Sequence, residues 1–232
     1  MKLPAKYQNM NELTAVVIGA TGLTGNLVLK ELLNDDSFKS VRILVRRNVD
    51  IVHPKLEQEI INFDDKIDFN NKFGEGDVMG CCIVTTQKKV NGDKRGEAKR
   101  DHDMPVNAAE IGILKNFKKF LIVSAIGANE NSSNFYLNLK GRTEKSLKQF
   151  PYISLGIFQP SIINGNRKET RTGEKIAQGV MDLLSILLLG PLKKYRAIGA
   201  DNIAKAMVNE SKQKNTGVNY YRFDEMMDLA RN

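Results

Sequence analysis

The sequence predicts an α/β chain built on a doubly wound, mostly parallel sheet with a small C-terminal lobe. Two observations carry that prediction. As far as Pro160, apolar runs alternate with stretches of helical periodicity, which is the pattern of repeated βαβ units. The runs are also near-continuous rather than alternating, as in strands covered on both faces by helices.

The elements follow in order. TAVVIGA at 14–20 is a strand, and NLVLKELLNDD at 26–36 is a helix with Leu27, Val28, Leu32 and Leu33 on one face. VRILVRR at 41–47, QEIINF at 58–63 and DVMGCCIVTT at 77–86 are three further strands. The polar stretch QKKVNGDKRGEAKRD at 87–101 reads as a loop leading to a helix over MPVNAAEIGILK at 104–115. FLIVSAIGA at 120–128 and ISLGIFQP at 153–160 are strands flanking a helix at 135–150 that tolerates one glycine. Beyond Pro160 the pattern loosens. Asp201 reads as the N-cap of the helix NIAKAMVNE, GVNYYRF as a last strand and DEMMDLA as a last short helix. The expected organisation is a single domain over 1–232, with a cofactor-binding core at about 13–165 and a C-terminal substrate-side lobe at about 166–232.

Bulk chemistry narrows the function classes. The net charge is +8, but 27 acidic residues are interleaved with 35 basic ones and no aromatic stacking platform accompanies the lysine clusters. Nucleic acid is therefore not an expected partner. No metal is expected, because the two histidines, His53 and His102, lack a ligand spacing with the adjacent Cys81 and Cys82. The opening residues show no leader pattern. The apolar run LLSILLLG at 183–190 is too short to span a membrane and reads as a core helix. Two reduced, buried cysteines fit a reducing compartment, so a cytoplasmic protein is expected, with mitochondrial-surface association left open.

The first strand runs into GATGLTG, where Gly19, Gly22 and Gly25 punctuate a strand-to-helix turn. In a Rossmann-type unit the first glycine permits the tight turn, the second admits a pyrophosphate and the third lets helix and strand pack closely. The helix N-terminus then offers N–H groups to an anion, and Thr21 and Thr24 can add hydroxyls. At the end of the second strand stand Arg46 and Arg47 instead of a carboxylate. Guanidinium groups suit a ribose 2′-phosphate, so NADP(H) is expected over NAD(H). Asn62, after the third strand, is placed for the adenine edge. Tyr136 and Lys140 lie four apart on one helix face, where an ammonium favours the phenolate and suits the tyrosine to acid–base work. Ser124, at the end of the fifth strand, is the hydroxyl expected to polarise a carbonyl, with Ser132 and Ser133 as fallbacks.

GATGLTG, the basic end of the second strand, the serine and YxxxK together resemble the short-chain dehydrogenase/reductase superfamily in its atypical branch. DVMGCCIVTT, VSAIGA…SSNFYLNLKGRTE and IFQPSIINGNRKETR are similar to segments of the Tat-interacting-protein-type oxidoreductases and their fungal mitochondrial relatives. The resemblance implies that Gly19, Thr21, Gly22, Leu23, Thr24 and Gly25 hold the pyrophosphate, and Arg46 and Arg47 the 2′-phosphate. It further implies that Ile83 and Val84 line the nicotinamide ribose, that Ile163 borders the nicotinamide and that Arg171 closes over the cofactor. Tyr136 with Lys140 would be the proton-transferring pair. The chain departs from the family pattern at Val84 (glycine there), Gln159 (arginine), Asn62 (aspartate) and Ala125 (a second serine). The expected function is an NADPH-dependent reductase of an unspecified small carbonyl substrate. The alternative is an NADPH-binding regulatory or redox-sensing protein that acts through a protein partner with little or no turnover.

Overall fold

Apolar side chains at both parities of each central strand find a separate core on either face of the sheet, and this fixes the architecture. The computed structural model describes residues 13–83, 93–165 and 190–231. On strand β1 (Leu13–Ile18), Ala15 and Val17 join one core while Val16 and Ile18 join the other. On β5 (Lys119–Val123), Leu121 and Val123 divide from Phe120 and Ile122 in the same way. A strand's period of two sends neighbours to opposite faces, so a continuous apolar run requires helices on both sides.

Seven parallel strands form the main sheet in the order β3-β2-β1-β4-β5-β6-β9. The remaining strands of this sheet are β2 (Phe38–Val45), β3 (Leu56–Ile60), β4 (Val78–Cys81), β6 (Ser154–Phe158) and β9 (Gly217–Tyr221). Two residues each of β7 (Ile163–Asn164) and β8 (Ile198–Gly199) pair separately. The order reverses between β1 and β4, and in such sheets the crevice at the carboxyl ends beside that reversal is where ligands bind.

Helix α1 (Leu23–Asn34) covers one face together with α6 (Ala200–Lys212) and α7 (Phe223–Arg231), through Val28, Leu32, Ile203, Met207 and Met226. The other face holds α2 (Lys66–Lys72), α4 (Met104–Leu114) and α5 (Phe135–Leu147), packed through Phe69, Ala108, Ile111 and Leu147. GVNYY is strand β9, as expected, and it extends the sheet beside β6. Helix α6 begins at Ala200 with Gly199 at the cap position. Asp201 therefore lies in the first turn instead of capping it, where its carboxylate still faces the positive helix end. The leucine run at 183–189 lies outside the described residues. Among the described residues no helix is long and apolar enough to cross a membrane.

The largest departure from the sequence reading is at 94–103. This polar stretch, read as a loop, is helix α3 (Lys94–Ala98) continued by a π-helical turn (Lys99–Asp103) into α4. Asp93 caps it by accepting from the Gly96 N–H at 2.9 Å. The apolar periodicity is missing because the inward-facing residues are the acids Glu97 and Asp101, 3% and 0% exposed. They are buried against a charge and not against hydrocarbon.

Candidate active site

The glycine turn is built as a close approach of three backbone segments. Gly19 has φ +81°, a conformation that an L side chain rarely adopts, and a Cβ there would lie 2.7 Å from the carbonyl carbon of Cys82. A Cβ on Gly25 would lie 2.1 Å from the Gly19 oxygen, so the third glycine is what lets α1 sit against the turn. Gly22 donates to the Gly19 carbonyl at 3.0 Å and is the N-cap of α1, with no side-chain cap on the first turn. It is exposed, as is Thr21, whereas Thr24 is buried. Leu23 reaches across to the backbone at Gly165, where an added Cβ would lie 2.9 Å from its Cδ1. An uncapped helix N-terminus behind a turn that admits no Cβ at Gly19 or Gly25 fits a dinucleotide pyrophosphate.

Arg46 and Arg47 follow β2 directly, and both are exposed. Asn62 follows β3, and its side-chain oxygen accepts from the Asp64 N–H at 3.0 Å. Ile83 lies two residues beyond the end of β4, and Ile163 stands on β7 paired with Ile198. Val84 and Arg171 lie outside the described residues. The carboxyl ends of β1, β2, β4 and β5 thus gather the glycine turn, Arg46, Arg47, Ile83 and Ser124 along one sheet edge.

Tyr136 and Lys140 come to that edge on α5. The helix is capped by Asn134, which accepts from the Leu137 N–H at 3.1 Å. Gly141 allows α5 to press on the loop after β5, since a Cβ there would lie 2.2 Å from the Glu130 nitrogen. The Lys140 side chain is 1% exposed. Its Nζ lies 2.7 Å from Asp101 Oδ1, 3.4 Å from the Ile83 carbonyl oxygen and 5.9 Å from the Tyr136 ring centroid. Burial alone would lower the Lys140 ammonium, but the charges of Asp101 and Tyr136 and the Asp101 hydrogen bond outweigh it and hold it above its ordinary value. For Tyr136 burial is the largest influence and pushes the phenol up. Lys140 opposes it, while Asp101 and Glu97 act with burial. The net direction is opposite to the sequence expectation, chiefly because the phenol is desolvated, with the acids behind Lys140 adding to it.

Ser124 is 2% exposed, and its hydroxyl donates to Oε1 of Glu144 on α5. Gln159 donates to the same carboxyl, at 3.0 Å to Oε1 and 3.2 Å to Oε2. Burial pushes Glu144 up, against these hydrogen bonds and the charges of Lys148 and Lys140. Ser124 is thus brought to the correct sheet edge but is turned into a buried network. Asp101, Glu97 and Glu144 were not singled out in the sequence. The available signals were Glu97 and Asp101 four apart, and Glu144 four beyond Lys140, each pair on one helix face.

No family model matches the chain. It is 30% identical over 181 residues to protein HTATIP2 of Rattus norvegicus, covering 77% of this chain and 74% of that protein. It is 32% identical over 166 residues to the mitochondrial protein FMP52 of Kluyveromyces lactis, covering 69% and 72%. To the mitochondrial protein fmp52 of Aspergillus niger it is 28% identical over 199 residues, covering 83% and 84%. Among solved structures, the Bordetella bronchiseptica enzyme WbmH in complex with NAD+ superposes with a TM-score of 0.68 at 14% identity, covering 90% of this chain and 75% of that one. A human epimerase family protein, SDR39U1, with NADPH gives 0.61 at 16%, covering 90% and 74%. These likenesses show the fold alone, a doubly wound parallel α/β sheet.

The fungal relatives are named as mitochondrial proteins, and this corrects the cytoplasmic assignment. The inference from cysteines failed for a physical reason. Cys81 and Cys82 are buried at 0% and 4% exposure, and burial pushes the Cys81 thiol up to about 12. Thiols so shielded stay reduced in any compartment and report burial only.

Proposed function

The chain belongs to the family of HTATIP2 and the fungal FMP52 proteins, and on that premise we propose that it is an NADPH-dependent oxidoreductase acting on a carbonyl group. The observation that carries the reading is the buried Lys140 ammonium, set between Asp101 and the Tyr136 ring on the sheet edge that also bears the glycine turn. When bound, the dinucleotide supplies a hydride. The protein's share is to hold it and to move a proton.

Gly19, Thr21, Gly22, Leu23, Thr24 and Gly25 form the pyrophosphate cradle, and Arg46 and Arg47 bind the 2′-phosphate. Ile83 and Ile163 border the nicotinamide end, with Val84 and Arg171 assigned there by family resemblance. Tyr136 gives its proton to the carbonyl oxygen, and Lys140 supports the phenolate that this leaves. The test is titration of the full chain with NADPH and NADH, followed by NADPH oxidation against a panel of aldehydes, ketones and quinones. We expect tighter NADPH binding and a rate that Tyr136→Phe lowers on the order of a hundredfold or more. Preference for NADH, or a rate indifferent to Tyr136, refutes the reading.

One observation favours a second reading, an NADPH-binding regulator acting through a protein partner. The Ser124 hydroxyl is committed to Glu144, which leaves it unavailable to a substrate carbonyl. Tight NADPH binding with no Tyr136-dependent turnover on the whole panel selects that reading.

A further inference from the structure

Behind Lys140 lies a second ionisable layer that the reading above does not use. Glu97 is 3% exposed, and among the described residues its Oε1 has no hydrogen-bond partner. It sits one turn before Asp101 on the same helical stretch. Asp101 in turn ion-pairs with Lys140, whose ammonium faces the Tyr136 ring. The π-helical turn at Lys99–Asp103 is what aims Asp101. Its backbone carbonyl is met by the Thr143 hydroxyl at 2.9 Å, which docks the turn on α5 one helical turn from Lys140. Glu97, Asp101 and Lys140, all buried, thus follow one another from α3 to α5 toward the half-buried Tyr136.

We propose that Glu97 is the proton reservoir of the Tyr136–Lys140 pair, recharging Tyr136 through Asp101 and Lys140 after each transfer. The proposal rests on the oxidoreductase reading. Two carboxylates and one ammonium buried together would carry a net negative charge, and the interior relieves it by keeping one carboxyl protonated. Asp101 holds the ammonium, so Glu97 is the protonated member. The surrounding charges agree. Burial and Asp101 push Glu97 up, with Arg100 and Lys140 opposing.

The steps balance. The Tyr136 O–H bond breaks as its proton goes to the product oxygen. A Lys140 N–H bond breaks to restore the phenol. The Asp101 carboxylate takes the Glu97 proton and passes it to the Lys140 amine. Glu97, left as a carboxylate, regains one proton from water, so one solvent proton enters per carbonyl reduced.

The experiment uses the full chain and the variants Glu97→Gln and Glu97→Asp, with folding checked by circular dichroism. First, infrared difference spectra of the chain alone at neutral pH compare wild type with Glu97→Gln. A protonated-carboxyl stretch lost in the variant is expected, and loss of only a carboxylate stretch overturns the proposal. Second, NADPH oxidation by phenanthrenequinone is followed through the first turnover and into steady state. For Glu97→Gln we expect an unchanged first turnover and a steady-state rate lower on the order of a hundredfold, with partial rescue by Glu97→Asp. A variant slowed equally in both phases, or in neither, overturns the relay. Failure of the wild type itself to turn over marks the failure of the oxidoreductase reading, and the relay falls with it.

Discussion

The ammonium nitrogen of Lys140 lies 2.7 Å from Oδ1 of Asp101, and the two side chains are 1% and 0% exposed. Helix α4 and strand β5 separate them in sequence, so the pair forms only when α5 docks on the π-helical turn. Removing one member strands the other charge in the interior, which costs about 3–5 kcal/mol, whereas replacing both with apolar groups of similar size is close to neutral. Asp101→Asn and Lys140→Met are each expected to lower stability by about that amount in urea unfolding. The double variant Asp101→Leu/Lys140→Met is expected to recover most of it. Additive losses would show that the two are not coupled.

The glycine turn separates folding from binding. Gly25→Ala places a Cβ 2.1 Å from the Gly19 oxygen and is expected to lower stability by about 1–3 kcal/mol. Gly22 has φ −79°, and its Cβ would lie 3.3 Å from the Gly19 oxygen and 3.9 Å from the Cys82 oxygen, with no severe clash. Gly22→Ala should therefore keep its thermal midpoint within a few degrees, which is about 1 kcal/mol or less. Its NADPH affinity should fall at least about tenfold, because the methyl group occupies the pyrophosphate's approach. Isothermal titration together with thermal unfolding distinguishes the two outcomes.

Arg46 and Arg47 decide cofactor choice on this reading. A charged hydrogen bond to phosphate contributes about 1.5–3 kcal/mol, or roughly tenfold to a hundredfold in affinity. Arg46→Ala and Arg47→Ala are expected to weaken NADPH by that factor and to leave NADH within about twofold. Equal weakening of both cofactors would place the arginines elsewhere in the site.

Glu144 supplies a pH signature. Its folded-state carboxyl is raised above the ordinary value of 4.5, chiefly by burial. The folded chain therefore binds more protons there than the unfolded chain, and this contribution is present below about pH 4.5 and is lost as pH rises through the folded value. Glu144→Gln cannot ionise, yet it retains an oxygen for Ser124. Its stability relative to wild type is expected to improve from about pH 4.5 upward, read as urea midpoints across the range. A difference that is flat with pH would mean that Glu144 titrates normally.

The parts of the site that were legible in the sequence are those written in contiguous residues. The turn from β1 into α1 was readable because three glycines and a strand lie within twelve residues, and their local sterics fix the backbone wherever the segment sits. Tyr136 and Lys140 were readable because a helix places residues four apart on one face. Glu97 and Asp101 were not, because a helix with a polar buried face has the same pattern as a solvated segment. Only the presence of Lys140 from another element changes its meaning.

By itself, then, the sequence determined the parallel sheet, the order of its elements, the glycine turn and the family. These follow from hydrophobic periodicity and backbone sterics, which act over a few residues. The tertiary structure decided which polar groups share the interior: Asp101 with Lys140, Ser124 with Glu144, and Glu97 beside both acid and base. That choice depends on desolvation and on distances between elements far apart in the chain. No local pattern encodes it, because the cost of burying a charge is set by which other groups are buried with it.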